Sequence, residues 1–328
     1  MYLTETYRGL ADLLARVEEG LAGVWEGDPE FLGEASRHAL SGRGKRLRPS
    51  LLLLAAECAG GANDVSVALA TVVELVHAAS LIHDDIVDDA PSRHGRRSAN
   101  SLWGNKVSVL LGDYLLARGL GLVPEGSREH FVPTLARVAA EMCRGQVREI
   151  RCAGNPLRLD EYTNIARAKT GKLFAFCGRT GVETAGGPES LAAAMEGFGE
   201  RFGVAFQFAD DILDLVGTRG RTGKPEGRDV AERKFTLPLV LAAQEGGHTT
   251  SERLVRILSE ENLTGASVEL IRDTVERQGA VELAWAEVRR WLDEARSQLE
   301  VIPASAVRAA LLSACGDLFP MPVMAGET

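Results

Sequence analysis

Apolar residues recur along the chain at the spacing of amphipathic helices. From about Thr4 to Gly20 they stand three or four positions apart, at Tyr7, Leu10, Leu13, Leu14 and Val17. This is the period of one helix face, so we predict a first helix there. A second helix is predicted from Pro29 to Leu40, because proline is tolerated in the first turn. No segment alternates polar and β-branched residues over the length of a strand, so we predict no strands.

Glycine and proline divide the rest of the chain into spans of helical length. The breaks fall at 60–61, 124–126, 154–156, 186–188 and 246–247. They fit short connections between helices, and none has the character of an interdomain linker. The sequence therefore predicts one all-α domain over residues 1–328, with peripheral helices at 248–328.

Composition limits the classes of function. The chain has 328 residues, 45% of them hydrophobic, which supports a sizeable core. Its net charge of −9 argues against broad nucleic-acid binding, so we expect no nucleic-acid partner. Charged residues interrupt the N-terminal apolar positions, unlike in a signal peptide. The longest apolar run, Leu51 to Ala56, is too short to span a bilayer, so we expect no transmembrane segment.

The cysteines bear on the compartment. There are five, an odd number, and no two of them form a CxxC pair. This usage favours free thiols in a reducing environment over a disulfide framework or a structural zinc site. We therefore expect a cytoplasmic protein.

An aspartate-rich stretch, Leu81 to Asp89, follows the apolar helical run from Val72 to Ile82. On a helix Asp84 and Asp88 share one face, with Asp85 beside them. Such like charge weakens a helix unless a cation neutralises it. Mg²⁺ prefers carboxylate oxygens and completes its coordination with water and substrate phosphates. Taken alone, the stretch also fits a solvated acidic helix end.

A second stretch repeats the spacing at Asp210, Asp211 and Asp214. Two DDxxD faces in one chain predict two helices that hold a metal cluster between them. Cationic stretches lie at 42–49, 93–97, 169–170 and 217–234. Each also fits a solvated loop, but glycine-rich turns with Lys and Arg are the usual means of binding phosphate. Together the acidic and cationic stretches indicate a phosphorylated substrate.

These motifs resemble those of the trans-type isoprenyl diphosphate synthases of the polyprenyl synthetase family. They occur in the family's order and cover residues 44 to 238: GKRLRP at 44–49, ELVHAASLIHDDIVDD at 74–89, RHG at 93–95, GDYLLAR at 112–118, KTGKLF at 169–174, FQFADDILD at 206–214, GKPEGRD at 223–229 and KFTLP at 234–238. Each motif alone is weak, whereas the ordered set makes accidental agreement very improbable.

The resemblance implies a single-domain bundle of long antiparallel helices around a deep central cavity, the isoprenoid synthase type, in a homodimer. It also implies a prenyltransferase. An allylic diphosphate ionises with the help of three Mg²⁺ ions per active site, and isopentenyl diphosphate attacks the carbocation and then loses a proton. The metal acts as a Lewis acid and template, and an apolar cavity keeps water from the cation.

The resemblance also assigns residues. The expected metal ligands are Asp84, Asp85, Asp88, Asp210, Asp211 and Asp214. Isopentenyl diphosphate is expected at Lys45, Arg48, His77 and His94, and the allylic diphosphate at Arg93, Lys169 and Lys224. The residues expected to line the site as well are Thr170, Gln207 and Lys234. His83 is interpreted as a structural hydrogen-bonding residue, and Asp89 falls on a different helix face.

Two positions depart from the family pattern. The family usually has arginine where this chain has His94, and histidine is a pH-dependent, non-bidentate substitute for it. Arg96 or Arg97 is a candidate to compensate. Arg233 stands before Lys234, where the family commonly has glycine.

Three alternatives remain open at this point. A class I terpene cyclase shares the helical fold but does not need Lys45, Arg48 and His77. A subunit of a heteromeric prenyl synthase typically lacks aspartates that are present here. A helical binding protein without chemistry leaves both acidic faces unexplained.

Product length is predicted from the helix before Asp84. Ala79 and Ser80 are small, where short-chain members of the family carry bulky aromatic residues that close the cavity. Val76 and the facing residues Leu110, Leu111, Tyr114 and Leu115 are expected along the wall, with Tyr114 either a deeper floor or interface packing. We therefore expect geranylgeranyl diphosphate or a longer product.

Overall fold

The computed structural model describes residues 7–41, 44–93, 95–217, 227–317 and 319. Helices account for most of them, which confirms the predicted all-α class. Their contacts divide the chain into two compact units. Unit one comprises 1–140, 173–199 and 301–311, and unit two comprises 141–172, 200–300 and 312–328. Because each unit combines distant segments, neither is a contiguous stretch of chain, and the single-domain organisation stays a prediction.

The helices follow one another in this order: α1 (Gly9–Ala22), α2 (Glu30–Leu40), α3 (Leu47–Cys58), α4 (Asp64–Val87), α5 (Ala99–Leu122), α6 (Arg128–Cys152), α7 (Leu159–Ala166), α8 (Lys172–Thr184), α9 (Glu189–Val216), α10 (Arg228–Ala231), α11 (Leu237–Leu258), α12 (Gly265–Arg277), α13 (Ala280–Gln298) and α14 (Ala306–Asp317). A π-helical turn, Arg167–Gly171, joins α7 to α8, and 3₁₀ turns lie at Glu125–Ser127 and Leu299–Val301.

The predicted helix boundaries agree with these except at particular points. The first helix that the structure describes begins at Gly9, and the start predicted near Thr4 lies outside the described residues. The second begins at Glu30, directly after Pro29. Four of the five predicted breaks fall between helices. The fifth, at 246–247, coincides with a kink inside Leu237–Leu258, where Gly247 has non-helical backbone at φ +62° and two helical segments meet, as predicted. All five cysteines are free thiols, as predicted.

A short antiparallel hairpin joins α4 to α5. Its strands are β1 (Ser92–Arg93) and β2 (Arg96–Arg97), with Ser92 opposite Arg97. The prediction that the chain has no strands is therefore wrong here, because a strand of two residues is too short to show alternation. Gly95 has φ +76°, a conformation that glycine adopts without steric cost.

Helix α4 is the core helix of unit one. It contacts α1, α2, α3 and α5, and a capping box between Asn63 and Ser66 fixes its start. It is apolar around most of its circumference, as expected for a helix packed on several sides. Among the described residues, α4 is the one single helix that is long and apolar enough to cross a membrane, with mean hydropathy 2.0, but 72% of that window is buried, and a core helix passes the same test.

Small residues let other helices of unit one approach closely. A Cβ atom on Gly181 of α8 would lie 2.1 Å from the Leu52 carbonyl oxygen of α3, so the two backbones nearly touch there. Gly112 of α5 similarly faces the His83 ring of α4, where a Cβ atom would lie 2.3 Å from Nε2. Glycine at these positions fixes the spacing of the helices around α4.

An aromatic cluster fixes the second half of α9 in unit two. Phe208 stacks on Tyr162 of α7, with ring centroids 5.7 Å apart, and meets Trp291 of α13 edge-on at 6.3 Å. Helix α11 contacts α7, α12 and α13, so this unit has a core of its own. The aspartates that follow Phe208 are therefore carried on a rigid helix.

The close approach at Gly181 predicts a large effect on stability. Gly181→Ala should lower the free energy of unfolding by about 2 kcal/mol or more, because the new methyl group meets backbone that cannot move aside cheaply. Gly121→Ala is the control, since its Cβ has no neighbour within 4 Å and it should gain about 0.5 kcal/mol from helix propensity. Chemical denaturation measures both. Equal stability of the two variants would contradict the packing described.

Candidate active site

The first aspartate motif lies at the C-terminal end of α4. Asp84 and Asp88 are half-buried, Asp85 is only 4% exposed, and the Asp88 N–H donates to the Asp84 carbonyl at 2.8 Å. Asp89 follows the helix with φ +47° and is exposed. The three predicted ligands thus share the last helical turn, and Asp89 lies outside it.

Arg93 of the hairpin pairs with Asp85. Its Nε and Nη2 atoms both lie 2.8 Å from Asp85 Oδ1. The Asp85 carbonyl accepts from Asn100 Nδ2 at 3.2 Å and from the Ala90 N–H at 2.9 Å. These contacts fasten the hairpin to the end of α4. The guanidinium expected at the allylic diphosphate is therefore held beside an expected metal ligand.

Arg48 and His77 come together, as predicted. Arg48 Nη1 lies 3.0 Å from His77 Nε2, and the guanidinium lies 4.6 Å from the Phe174 ring centroid. Burial lowers the pKa of Arg48, and its Nε has no hydrogen-bond partner among the described residues. A poorly solvated cation with an unused donor is suited to receive an anion. Lys45 is exposed in the turn before α3.

Arg46, which the sequence analysis did not single out, anchors that turn. Its backbone is left-handed at φ +48°. Its Nε donates to Glu18 Oε1 at 2.7 Å, and its Nη1 pairs with Glu74 of α4. The two residues that it separates in the motif, Lys45 and Arg48, are both expected to bind substrate.

In unit two, a hydrogen-bonded chain leads from the π-helical turn to the second aspartate motif. Thr170 Oγ1 donates to Gln207 Oε1 at 2.7 Å, and Gln207 Nε2 donates to Asp211 Oδ1 at 2.9 Å. A Cβ atom on Gly145 of α6 would lie 2.9 Å from the Lys169 nitrogen, so glycine lets α6 approach this turn. π-Helical turns are frequent at functional sites.

Lys169 and Lys234 belong to an ion-pair network. Lys169 Nζ lies 2.6 Å from Glu149 Oε2, and Lys234 Nζ lies 3.8 Å from the same oxygen. Lys234 also pairs with Glu232, whose other oxygen accepts from Arg228 Nε at 2.6 Å. The sequence analysis missed Glu149 and Glu232. The available signal for Glu149 was a carboxylate on the half-buried side of α6.

Three carboxyl groups of this region, those of Asp211, Asp214 and Asp229, have raised pKa values. Burial raises the pKa of Asp211 well above its usual range, and the charges of Asp229 and Glu149 add to the effect. Burial, followed by the charge of Asp214, does the same for Asp229, and burial raises the pKa of Asp214. Asp214 Oδ2 accepts from the Asp229 N–H at 2.9 Å. Asp229 lies in a quoted motif, but the sequence analysis gave it no role.

We call this group the carboxylate cluster; it consists of Asp210, Asp211, Asp214, Asp229, Glu149 and Glu232, with the cations Lys169, Lys234 and Arg228. The carboxylates outnumber the cations, and Asp211 Oδ2 is buried without a hydrogen-bond partner among the residues described. A divalent cation would relieve both conditions.

Protein groups alone do not complete a metal site in the described part of the chain, where no three His, Cys, Asp or Glu side chains converge on one point. Mg²⁺ is usually held by one or two carboxylates together with water and substrate phosphates. The residues therefore fit a metal that is bound jointly with a phosphorylated substrate.

Some predicted site residues have other contacts or are not covered. His94 and Lys224 lie outside the described residues, so their roles stay predictions. Arg96 contacts His38 and Ser41, and Arg97 contacts the Ser101 carbonyl. His83 Nε2 lies 3.3 Å from the Val109 carbonyl, which fits the structural interpretation.

The cavity-wall residues divide into two groups. Val76, Ala79, Leu111 and Leu115 are buried. The placement of Leu110 is wrong, because α5 turns Leu111, Leu115 and Gly119 inward and leaves Leu110 67% exposed. The Tyr114 hydroxyl donates to Asp28, and burial raises the pKa of Tyr114 to about 12. Tyr114 thus contacts the residue preceding Pro29 and α2.

Comparison with known proteins agrees with this geometry. The family model described as Polyprenyl synthetase matches residues 29–275, more than half of the chain. The chain belongs to the polyprenyl synthetase family. It is therefore a prenyltransferase, as predicted, which excludes a helical binding protein without chemistry.

Curated relatives cover nearly the whole chain. Heptaprenyl diphosphate synthase component 2 of Geobacillus stearothermophilus is 34% identical over 314 residues, 95% of this chain and 96% of the relative. A short chain isoprenyl diphosphate synthase of Methanothermobacter thermautotrophicus is 36% identical over 321 residues, 95% of each chain. The names of the two relatives indicate different product lengths, so family membership does not decide the product.

Solved structures of the polyprenyl synthetase family share the fold. A polyprenyl synthase from Caulobacter crescentus CB15, complexed with calcium and isoprenyl diphosphate, superposes with a TM-score of 0.90 at 32% identity. The match covers 95% of this chain and 96% of that one. The predicted isoprenoid synthase type of fold is confirmed.

The raised pKa values predict how metal binding depends on pH. A metal requires ionised carboxylates, so Mg²⁺ affinity should rise with pH through the raised pKa values, and binding should release protons. Calorimetry in two buffers of different ionisation enthalpy measures that release. Asp211→Asn should release fewer protons. Asp12→Asn, at an exposed position of α1, should not differ from the wild type. Binding without proton release would contradict the prediction.

Stability without metal should depend on pH in the opposite sense. A carboxyl whose folded-state pKa is raised stabilises the fold fully below its ordinary pKa, near 4, and that stability is lost as the pH rises through the raised value. The metal-free protein should therefore unfold more easily at pH about 8 than at about 5, and Asp211→Asn should reduce the difference. Denaturant unfolding at both pH values is the measurement.

Proposed function

We propose that the enzyme condenses an allylic diphosphate with isopentenyl diphosphate in a Mg²⁺-dependent reaction and forms all-trans geranylgeranyl diphosphate or a longer product. One observation carries this proposal. Among the described residues of unit two, carboxylates that outnumber the neighbouring cations lie beside Lys169 and Lys234. Such a group is suited to bind a divalent cation and a diphosphate together.

In unit two, the aspartates of α9 hold the metal, with Asp210 and Asp214 at the half-buried to exposed edge. Lys169 and Lys234 contact the allylic diphosphate after exchanging their carboxylate partners for phosphate oxygens. The chain from Thr170 through Gln207 fixes the orientation of Asp211. Each of these groups lies on a packed helix or turn, which is what preorganised electrostatic stabilisation requires.

In unit one, Asp84 and Asp88 bind metal at the end of α4, and Arg93 holds Asp85 in place. Arg48, oriented by His77 and Phe174, receives isopentenyl diphosphate together with Lys45. Bound Mg²⁺ would neutralise the departing diphosphate as a Lewis acid. The released diphosphate would accept the proton that is lost in the condensation.

We also propose a cytoplasmic homodimer. Its support is a set of exposed apolar side chains on α5 and on α6, where solvent exposure would otherwise be unfavourable. These are Val109 and Leu110 on α5, and Val147 and Ile150 on α6, exposed by 41, 67, 55 and 49%. The relative from Geobacillus stearothermophilus carries the word component in its name, so the competing arrangement is a heteromeric synthase.

Product length is proposed from the packing of α4. Ala79 is 3% exposed and Ser80 donates to its own helix, at the His77 carbonyl at 2.8 Å. Neither side chain fills space beyond its own helix surface. The Tyr114 hydroxyl is hydrogen-bonded to Asp28. Positions 79, 80 and 114 therefore place no aromatic ring across the cavity wall that α4 forms.

Replacement of the aspartates tests the reaction. Asp84→Ala and Asp210→Ala should each lower kcat by at least about a hundredfold, because each removes a carboxylate ligand of the metal that would neutralise the developing diphosphate charge. Asp89→Asn is the matched control, since it is an adjacent acid outside the helix, and it should keep near-wild-type turnover. Incubation with Mg²⁺, isopentenyl diphosphate and allylic primers, with thermal unfolding of each variant, is the measurement.

The outcomes of that assay separate the alternatives. Linear polyprenyl product supports the proposal, and a cyclic hydrocarbon supports a terpene cyclase. No product from the purified chain, with activity restored by a second chain, supports the heteromeric synthase. Wild-type turnover in Asp210→Ala would contradict the role given to the second motif.

A bulky residue at position 79 should shorten the product. Ala79→Tyr introduces an aromatic ring at a buried position of α4, so prenyl chains that pass this level should no longer fit. Chromatography of the dephosphorylated products should show shorter chains while condensation continues. Ala11→Tyr, at an exposed position of α1, is the control and should leave the product length unchanged. An unchanged length in Ala79→Tyr would show that the chain grows along another path.

A further inference from the structure

The short helix α10 ends in a Schellman motif, a C-terminal helix cap with two specific backbone hydrogen bonds. The Arg233 N–H donates to the Val230 carbonyl at 2.9 Å, and the Lys234 N–H donates to the Asp229 carbonyl at 2.8 Å. In this motif the residue after the C-cap adopts left-handed backbone and is usually glycine. The second of these bonds joins Asp229 and Lys234. Asp229 is a carboxylate of the carboxylate cluster, and Lys234 is one of the cations beside it.

Arg233 occupies the position that favours glycine. Its φ is +59°, a region that is sterically unfavourable for residues with a Cβ atom. This chain therefore has backbone strain at Arg233 that a glycine would avoid. Strain of this kind persists only where the surroundings hold the residue in place.

The guanidinium supplies that hold. Arg233 Nη1 donates to the Leu258 carbonyl, and Nη2 donates to the carbonyls of Glu260, at 2.7 Å, and Glu261, at 3.3 Å. Leu258 is the last residue of α11. Carbonyls at the end of a helix lack intrahelical partners and carry partial negative charge, so a cation there is stabilised.

The backbone of Arg233 is fixed as well. Its carbonyl accepts from the Gly154 N–H at 2.8 Å. The residue is thus bonded through its side chain to the end of α11 and through its carbonyl to the turn after α6. The next side chain, Lys234, reaches Glu149 and Glu232 and is only 14% exposed.

We propose that Arg233 is a positioning residue for the prenyl transfer, because its anchored guanidinium holds the turn that directs Lys234 into the carboxylate cluster. This inference rests on the proposed role of Lys234 in binding the diphosphate. It differs from a purely stabilising role, in which loss of the anchor lowers stability and leaves substrate binding unchanged.

The test compares Arg233 variants in the wild-type background and in a Lys234→Ala background. Arg233→Gly relieves the backbone strain and removes the whole side chain, including the guanidinium group. It should raise the KM for the allylic diphosphate at least about tenfold, as for loss of a hydrogen bond to a charged group, with a much smaller change in kcat. In a Lys234→Ala background it should have no further effect on KM. Arg233→Lys, which keeps the charge, should give an intermediate KM.

Arg128→Ala is the matched control. Arg128 also donates to carbonyls at a helix end, those of Val123 at 2.9 Å and Gly121 at 3.1 Å, but no proposed site residue adjoins it. It should lower the melting temperature without changing KM. The inference is overturned if Arg233→Gly leaves KM within about twofold of the wild type, or if its effect multiplies fully with that of Lys234→Ala.

A readout that does not need turnover distinguishes this inference from the proposed function. If the wild type forms no prenyl product, the proposed function fails. Hydrogen exchange at the Lys234 amide then still tests whether Arg233 holds the turn that carries Lys234. Faster exchange in Arg233→Gly than in the wild type supports it, with exchange at the Gly121 amide as the reference. Unchanged exchange at Lys234 overturns it.

Discussion

The candidate site depends on a group of carboxylates that outnumber the cations beside them among the described residues. In unit two Asp211 is buried and Asp229 is half-buried beside Asp214. Burial and the neighbouring negative charges raise the pKa values of both. A fold that keeps such groups adjacent must stabilise the arrangement elsewhere, because burying unpaired charge is costly. The Phe208 aromatic cluster and the pairing of Lys169 with Glu149 do this in unit two. A divalent cation bound together with a phosphorylated ligand would supply the positive charge that the described residues lack.

Local features of this arrangement could be predicted from the sequence. The spacing of Asp84 and Asp88, and of Asp210 and Asp214, is fixed by helix geometry alone, and Arg48 and His77 meet as the family resemblance implied. Contacts across long sequence separation could not be predicted by spacing. Nothing local shows that Glu149 pairs with both Lys169 and Lys234.

The failures of prediction have the same physical origin. A hairpin with strands of two residues leaves no periodic signal. Leu110 is apolar yet exposed, since only packing against α4 decides which face of α5 is buried. Sequence periodicity identifies a helix reliably, but it does not identify what lies against each face.

Backbone strain gives a last indication of where the chain has been constrained for function. Within the described ranges, the non-glycine residues with left-handed backbone are Arg46, Asp89 and Arg233. Each adjoins an expected site residue: Lys45, Asp88 and Lys234. Each such conformation costs about 1 kcal/mol or more, and two of the three are arginines whose guanidinium groups are anchored by carboxylates or helix-end carbonyls. Strain that recurs beside the charged residues, and not elsewhere in these ranges, indicates that the turns are shaped to place charge.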